Sequence, residues 1–222
     1  MYQLVIFDWD GTIMNSAQKI ANCIRAAAVD VDLLPPSDAA AKSIIGLGLM
    51  EAMCQLFPSA SQAQLGAVVE AYKYHFVTGD STEQSLFHGV ENGLREIAEA
   101  GAVVAVATGK SRVGLDRAFS VTGLADHFIY TRCADESRSK PHPQMLHDIL
   151  DYTAIHPAKA IMIGDTTFDM EMAAGAQVAG LGVSYGVHPE TSLKQTKALD
   201  IMPSFSEVVA WLRNERLEKA YR

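Results

Sequence analysis

The chain has 222 residues, a length that fits one to two domains and can bury a sizeable core. Eighteen Lys and Arg against 26 Asp and Glu leave a formal charge of −8, which argues against a nucleic-acid backbone or an anionic membrane surface as partner. An anionic small molecule stays open, provided something supplies local positive charge.

Hydrophobic residues are 49% of the chain and charged residues 20%, a globular mixture rather than a disordered one. The opening Met1–Phe7 has no basic segment, and Asp8 and Asp10 cut its apolar run, so it does not read as a signal peptide. No apolar stretch nears the roughly 18 residues of a membrane span. Cys23, Cys54 and Cys133 are odd in number and widely spaced, which disfavours a disulfide framework or zinc site. A soluble, cytoplasmic protein is expected.

In chain order, Leu4–Phe7 is a short continuous apolar run, the pattern of a strand buried on both faces. From about Ser16 to about Leu86 no strand is evident. Ala17, Ile20, Ala21 and Ile24 follow helical spacing, and Leu65, Val68, Val69, Tyr72 and Phe76 form a similar stripe. Pro35-Pro36 and Pro58-Ser59 interrupt this stretch, and Thr78–Thr82 reads as a linker. Leu94, Ile97 and Ala98 are expected to share a helix face that Gly101 ends. Strands are expected at 102–107, 128–130, 160–163, 178–183 and near 199–202. Helices are expected around Met145, Leu146, Ile149 and Leu150, entered through Pro143, and around Val208, Val209 and Leu212, behind Ser206 as N-cap.

This alternation implies an α/β fold, a parallel sheet with helices on both faces interrupted by an inserted all-α module of subdomain size. The core domain is assigned to residues 1–15 and 86–222, and the helical module to 16–85.

Ligands of open parallel sheets bind beyond the carboxyl ends of the strands. There the sequence places Asp8 and Asp10, then Thr108, then Asp165 and Asp169, with Lys140 in a loop. Two carboxylates two residues apart can project to one side, and Gly11 lets the chain turn sharply. An acidic turn after a strand reads the same way, but such a pair beside a buried strand must be hydrated, paired or metal-bound. In Gly164–Asp169, Asp165 fits equally a helix N-cap, with Asp169 favouring the first turn.

The order of these elements resembles the haloacid dehalogenase superfamily. Its four motifs stand as Asp8-Trp9-Asp10-Gly11-Thr12, Thr108, Lys140 before Pro141, and Gly164-Asp165-Thr166-Thr167-Phe168-Asp169. The helical insert resembles the cap of the subgroup containing phosphoglycolate phosphatase and β-phosphoglucomutase. The resemblance thus implies a Rossmann-like parallel sheet in the core and makes the inserted module an all-α cap domain. The resemblance implies Asp8 as nucleophile forming an aspartyl-phosphate and Asp10 as general acid and base. It implies Thr108, Gly109 and Lys140 as phosphate binders. It further implies Mg²⁺ held by Asp8, the Asp10 backbone carbonyl and Asp165, with Asp169 behind them orienting a metal water or Lys140. The substrate implied is a small phosphorylated metabolite, and the protein a monomer or homodimer.

Asp10 itself favours phosphoryl transfer over dehalogenation, since a halide leaves without a proton. A sugar-phosphate mutase of the β-phosphoglucomutase type is the alternative, weakened because Gly164 stands where mutases carry Glu. A signalling receiver shares the residue types but lacks the insert and places Thr and Lys after the phosphoaccepting Asp. A binding protein without turnover is disfavoured because every catalytic residue type is present. Ile45–Gly48 reads either as a substrate-facing loop or as a plain helix–helix turn. Lys42 and Arg112 read as surface charges, Lys110 as a better anion contact, and His142 and His188 as structural or solvent-facing. Trp9 and Asn15 depart from the superfamily's usual Leu and Asp.

Overall fold

A computed structural model describes residues 1–214 and 217; the rest of the core segment assigned up to 222 lies outside them. Strand β1 (Leu4–Phe7) is wholly buried and sits near the middle of a six-stranded sheet. The others are β4 (Val103–Thr108), β5 (Tyr130–Cys133), β6 (Ala160–Gly164), β7 (Ala179–Val183) and β8 (Ile201–Met202). Their order is β5-β4-β1-β6-β7-β8, and every pairing is parallel.

Alternation along each strand divides the core into two layers. Val5, Phe7, Val104, Val106, Ile161 and Ile163 face one cluster with helices α5 (Val90–Glu99), α6 (Arg112–Thr122) and α10 (Phe205–Arg213). Leu4, Ile6, Ala105, Ala107, Ala160 and Met162 face the other, under α7 (Gln144–Thr153) and α8 (Thr167–Gly175). A strand buried on both faces needs a continuous apolar run, which is why β1 was legible. Each large side chain so buried contributes about 1.5–3 kcal/mol.

Between β1 and β4 lie α1 (Ala17–Asp30), α2 (Asp38–Ser43), α3 (Leu49–Leu56) and α4 (Gln62–Tyr74), the last running on into a π turn at His75–Gly79. These helices share their own apolar cluster, including Ile24, Met53 and Val68. Two-residue strands β2 (Met14–Asn15) and β3 (Ser85–Leu86) pair antiparallel, so the chain enters and leaves the helical module side by side. A short α9 (Glu190–Leu193) follows β7. Among the described residues, no helix is long and apolar enough to cross a membrane.

Several local expectations shift. The strand expected at 128–130 forms at Tyr130–Cys133, because Thr131 and Arg132 on this sheet edge are held by polar contacts from Arg112 and to Asp148 rather than by an apolar run. Ala98 is exposed; the buried face of α5 is Val90, Gly93, Leu94 and Ile97, with Gly93 admitting Phe205 and Val209 where a Cβ would collide. Ser206 does not cap the last helix. Ser204 does, accepting from the Glu207 N–H, because the buried stripe begins one turn earlier at Phe205. Thr166, not Asp165, caps α8, and its capping box is closed by Asp169.

Candidate active site

The strand order reverses at β1, which has β4 on one side and β6 on the other. The crevice beyond that switch point is where open α/β sheets bind ligands. Phe7 pairs with Val106 and with Ile163, so Asp8, Thr108 and Asp165 stand at the ends of three adjacent strands within one residue of the same level. Gly11 turns the chain with φ +85°, and a Cβ there would strike the Asp165 carboxylate. That close approach requires glycine.

Asp8, Asp165 and Asp169 are at most 1% exposed, and each brings a carboxylate oxygen within 4.8 Å of the others. Lys140, equally buried, lies 2.8 Å from Asp8 and 2.7 Å from Asp169. One Asp8 oxygen accepts the Trp9 N–H at 2.6 Å; the other, Oδ2, is buried with no hydrogen-bond partner. Asp165 accepts from the Thr12 hydroxyl and the Val187 N–H, at 2.9 and 2.8 Å. Asp169 Oδ2 accepts from the Thr166 N–H and hydroxyl.

Burial pushes the Asp8 carboxyl from 3.8 up to about 7, against the opposing pull of Lys140. Asp165 is raised well above the carboxylate range by burial and then by the charges of Asp8 and Asp169. Burial alone would lower the Lys140 ammonium, but Asp169 and Asp8 hold it above its ordinary value.

Asp10 stands apart from that trio. Its carboxylate accepts from the Ser16 hydroxyl at 2.6 Å and pairs with Lys110 at 2.9 Å. Lys110 also lies over the Phe76 ring of the helical module, 4.8 Å from its centroid. Thr108 is buried, and its hydroxyl accepts from the Lys110 N–H.

The helical module closes over these groups. A Cβ at Gly109 would run into the Gly46 and Leu47 carbonyl oxygens. The Gly48 N–H donates to Ser139 Oγ at 2.7 Å. His188 accepts from the Thr167 N–H through Nδ1, while Nε2 sits 3.1 Å from the Ser43 carbonyl. His188 therefore bridges α8 and the end of α2. Ile45–Gly48 lines the cavity above Asp8 and Asp10, together with Thr108 and Lys110.

The structure thus brings Asp8, Asp10, Thr108, Gly109, Lys140, Asp165 and Asp169 to one sheet edge. Arg112 instead pairs with Glu136 and Thr131, and Lys42 with Asp38 and Gln18. His142 accepts the Gln144 N–H at the start of α7. Sequence reasoning missed Ser16, Thr12, Ser139, Tyr72 and the 186–187 turn. Ser16 carries a helix-start signal, but nothing local reveals a hydroxyl aimed at Asp10.

The acidic trio fits a hard divalent cation: oxygen donors only, mutually close, and one buried Asp8 oxygen without a partner. The haloacid dehalogenase-like hydrolase family model matches residues 5–183. The "Probable phosphatase IndB" of Dickeya dadantii (strain 3937) is 32% identical, over 94% of this chain and 93% of that protein. A phosphoglycolate phosphatase of Rhodospirillum rubrum is 26% identical, over 96% and 91%. The crystal structure of a hydrolase from Pseudomonas syringae superposes with TM-score 0.87 at 18% identity, covering 97% of this chain and 99% of that one, a likeness of fold. The chain belongs to the haloacid dehalogenase-like hydrolase family. Within it, the chain is a phosphoric monoester hydrolase of the phosphoglycolate phosphatase-like kind.

Proposed function

We propose that this chain is a Mg²⁺-dependent phosphatase of a small phosphorylated metabolite, working through an aspartyl-phosphate on Asp8. The observation that carries the reading is the partnerless Asp8 Oδ2, buried at the end of the central strand, on a residue that lines the cavity beside Asp10. Asp8, Asp165 and the Asp10 backbone carbonyl would hold Mg²⁺, whose charge offsets repulsion between the Asp8 carboxylate and the phosphate.

Asp8 Oδ2 attacks phosphorus and the ester P–O bond breaks. Asp10 gives its proton to the departing alkoxide, then takes one from the water that cleaves the aspartyl-phosphate and restores Asp8. Ser16 and Lys110 fix the Asp10 carboxyl for that exchange. Thr108 and the backbone at Gly109 receive the phosphoryl oxygens, and Lys140 holds Asp8 in place. The helical module acts as the cap, excluding bulk water from the site while the hydrolytic water is admitted.

The test compares leaving groups. Asp10→Asn is expected to lose about 10²–10⁴-fold in kcat on an alkyl phosphate and clearly less on p-nitrophenyl phosphate, whose leaving group needs little protonation. Equal losses on both esters would remove the acid role. Turnover surviving Asp8→Asn would remove the nucleophile.

A further inference from the structure

We infer that the ester taken by this site carries an uncharged, largely apolar body of medium size, an inference that rests on the hydrolase reading above. A cavity of about 660 Å³ opens over Asp8 and Asp10 between the sheet edge and the helical module. Sites of roughly 300–1,000 Å³ hold ligands of many heavy atoms, far beyond a two-carbon acid.

The wall supplied by the module is what selects. Ile20 and Ile24 come from α1, Met53 from α3, Val69 from α4 and Phe76 from the π turn. None can bind an anion. A carboxylate landing there would lose its hydration and gain no partner.

The cations that line the cavity are either paired or exposed. Lys110 is held by Asp10, on the sheet side. Lys73 is mostly exposed and bonded to Glu70, and Arg117 is exposed on α6. Among the described residues that line the cavity, no cation projects from the buried part of the module wall. Tyr72 alone brings a hydroxyl into that wall, close enough to Asp10 to feel its charge. The complementary body is therefore an alkyl or aryl group, with room for a single polar atom beside the ester.

The experiment measures phosphate release, with Mg²⁺ present, from phosphoglycolate and from n-alkyl phosphates of increasing length. The kcat/KM value is expected to rise roughly three- to fourfold per added methylene until the cavity fills. The best alkyl ester should exceed phosphoglycolate by about tenfold or more, the equivalent of two methylenes. A flat series, or preference for phosphoglycolate, overturns the apolar body while leaving the phosphatase reading intact.

Calorimetry with the uncleavable n-alkylphosphonates gives a readout independent of turnover. Binding should tighten along the series with a negative heat-capacity change. If the phosphonates tighten but no ester is hydrolysed, the apolar cavity stands and the hydrolase reading falls. If neither ester nor phosphonate responds to chain length, the inference falls.

Discussion

Replacing Asp8 with Asn should make the metal-free protein more stable above neutral pH while abolishing turnover. In the folded chain, burial raises the Asp8 carboxyl from 3.8 to about 7. The folded state therefore keeps a proton that the unfolded chain has already released. Stability from that proton is complete below pH ~4 and is lost as pH rises through about 7. At about 1.4 kcal/mol per pH unit, the whole span amounts to roughly 4 kcal/mol. Between pH ~5 and ~8 the part still to be lost is roughly 2–3 kcal/mol. For a chain of this size that is a fall of about 5–10 °C in melting temperature.

Asp165 is raised in the same direction, partly by the Asp8 charge, so removing Asp8 relaxes it too. Lys140 keeps Asp169 at 2.7 Å in the variant, so no buried ammonium is stranded. The assay is thermal unfolding of both proteins in chelator across that pH range. Wild type should lose stability more steeply as pH rises than Asp8→Asn, in which Asp165 is still raised by burial, the two separating above neutrality. Parallel profiles, or a variant less stable at every pH, would refute the reasoning.

Lys140→Met strands the Asp8 and Asp169 carboxylates in the interior. Urea unfolding should show a loss of about 3–5 kcal/mol at pH ~8, whereas a loss below ~1 kcal/mol would mean that Lys140 does not hold two charges there. Gly109→Val drives a side chain into the Gly46 and Leu47 carbonyls and forces the helical module off the site. Turnover should fall about 100-fold with the circular dichroism spectrum unchanged, and wild-type turnover would show that this closed contact is not the reacting one.

What the sequence disclosed followed from period and burial. β1, β4 and β6 read as unbroken apolar runs because both faces of each are covered. β5 did not, because an edge strand whose Thr131 and Arg132 bind side chains carries no apolar signature. The cap ribbon was invisible for another reason: β2 and β3 have two residues each, too few to show a period, and pair across some seventy positions. Asp8, Asp10, Thr108, Lys140 and Asp165 were legible because each lies at or just past a strand end or beside a motif proline, and Asp169 because it stands in the first turn of the helix that follows β6. Ser16, Thr12 and Tyr72 were not, since only the folded chain decides which hydroxyl meets which carboxylate.

The charge balance of the site gives the acidic composition a specific meaning. Asp8, Asp10, Asp165 and Asp169, fully ionised, bring four negative charges to one sheet edge. Lys140 and Lys110 return two positive charges, and both ammonium groups are already bound to those carboxylates. The family resemblance assigns Lys140 to the phosphate, and in this structure its ammonium pairs with Asp8 and Asp169. A phosphate dianion would therefore meet a net charge of about −2 in a region of weak screening, a repulsion that neither lysine can lift without releasing its carboxylate. Burial first, and the neighbouring carboxylates after it, raise the Asp8 and Asp165 carboxyls and so favour their protonated forms in the metal-free chain. Protonation, however, would blunt the carboxylate that the proposed mechanism uses as nucleophile. A divalent cation would offset the charge and leave Asp8 ionised, so the proposed dependence on metal is supported by the surplus of carboxylates over free cations.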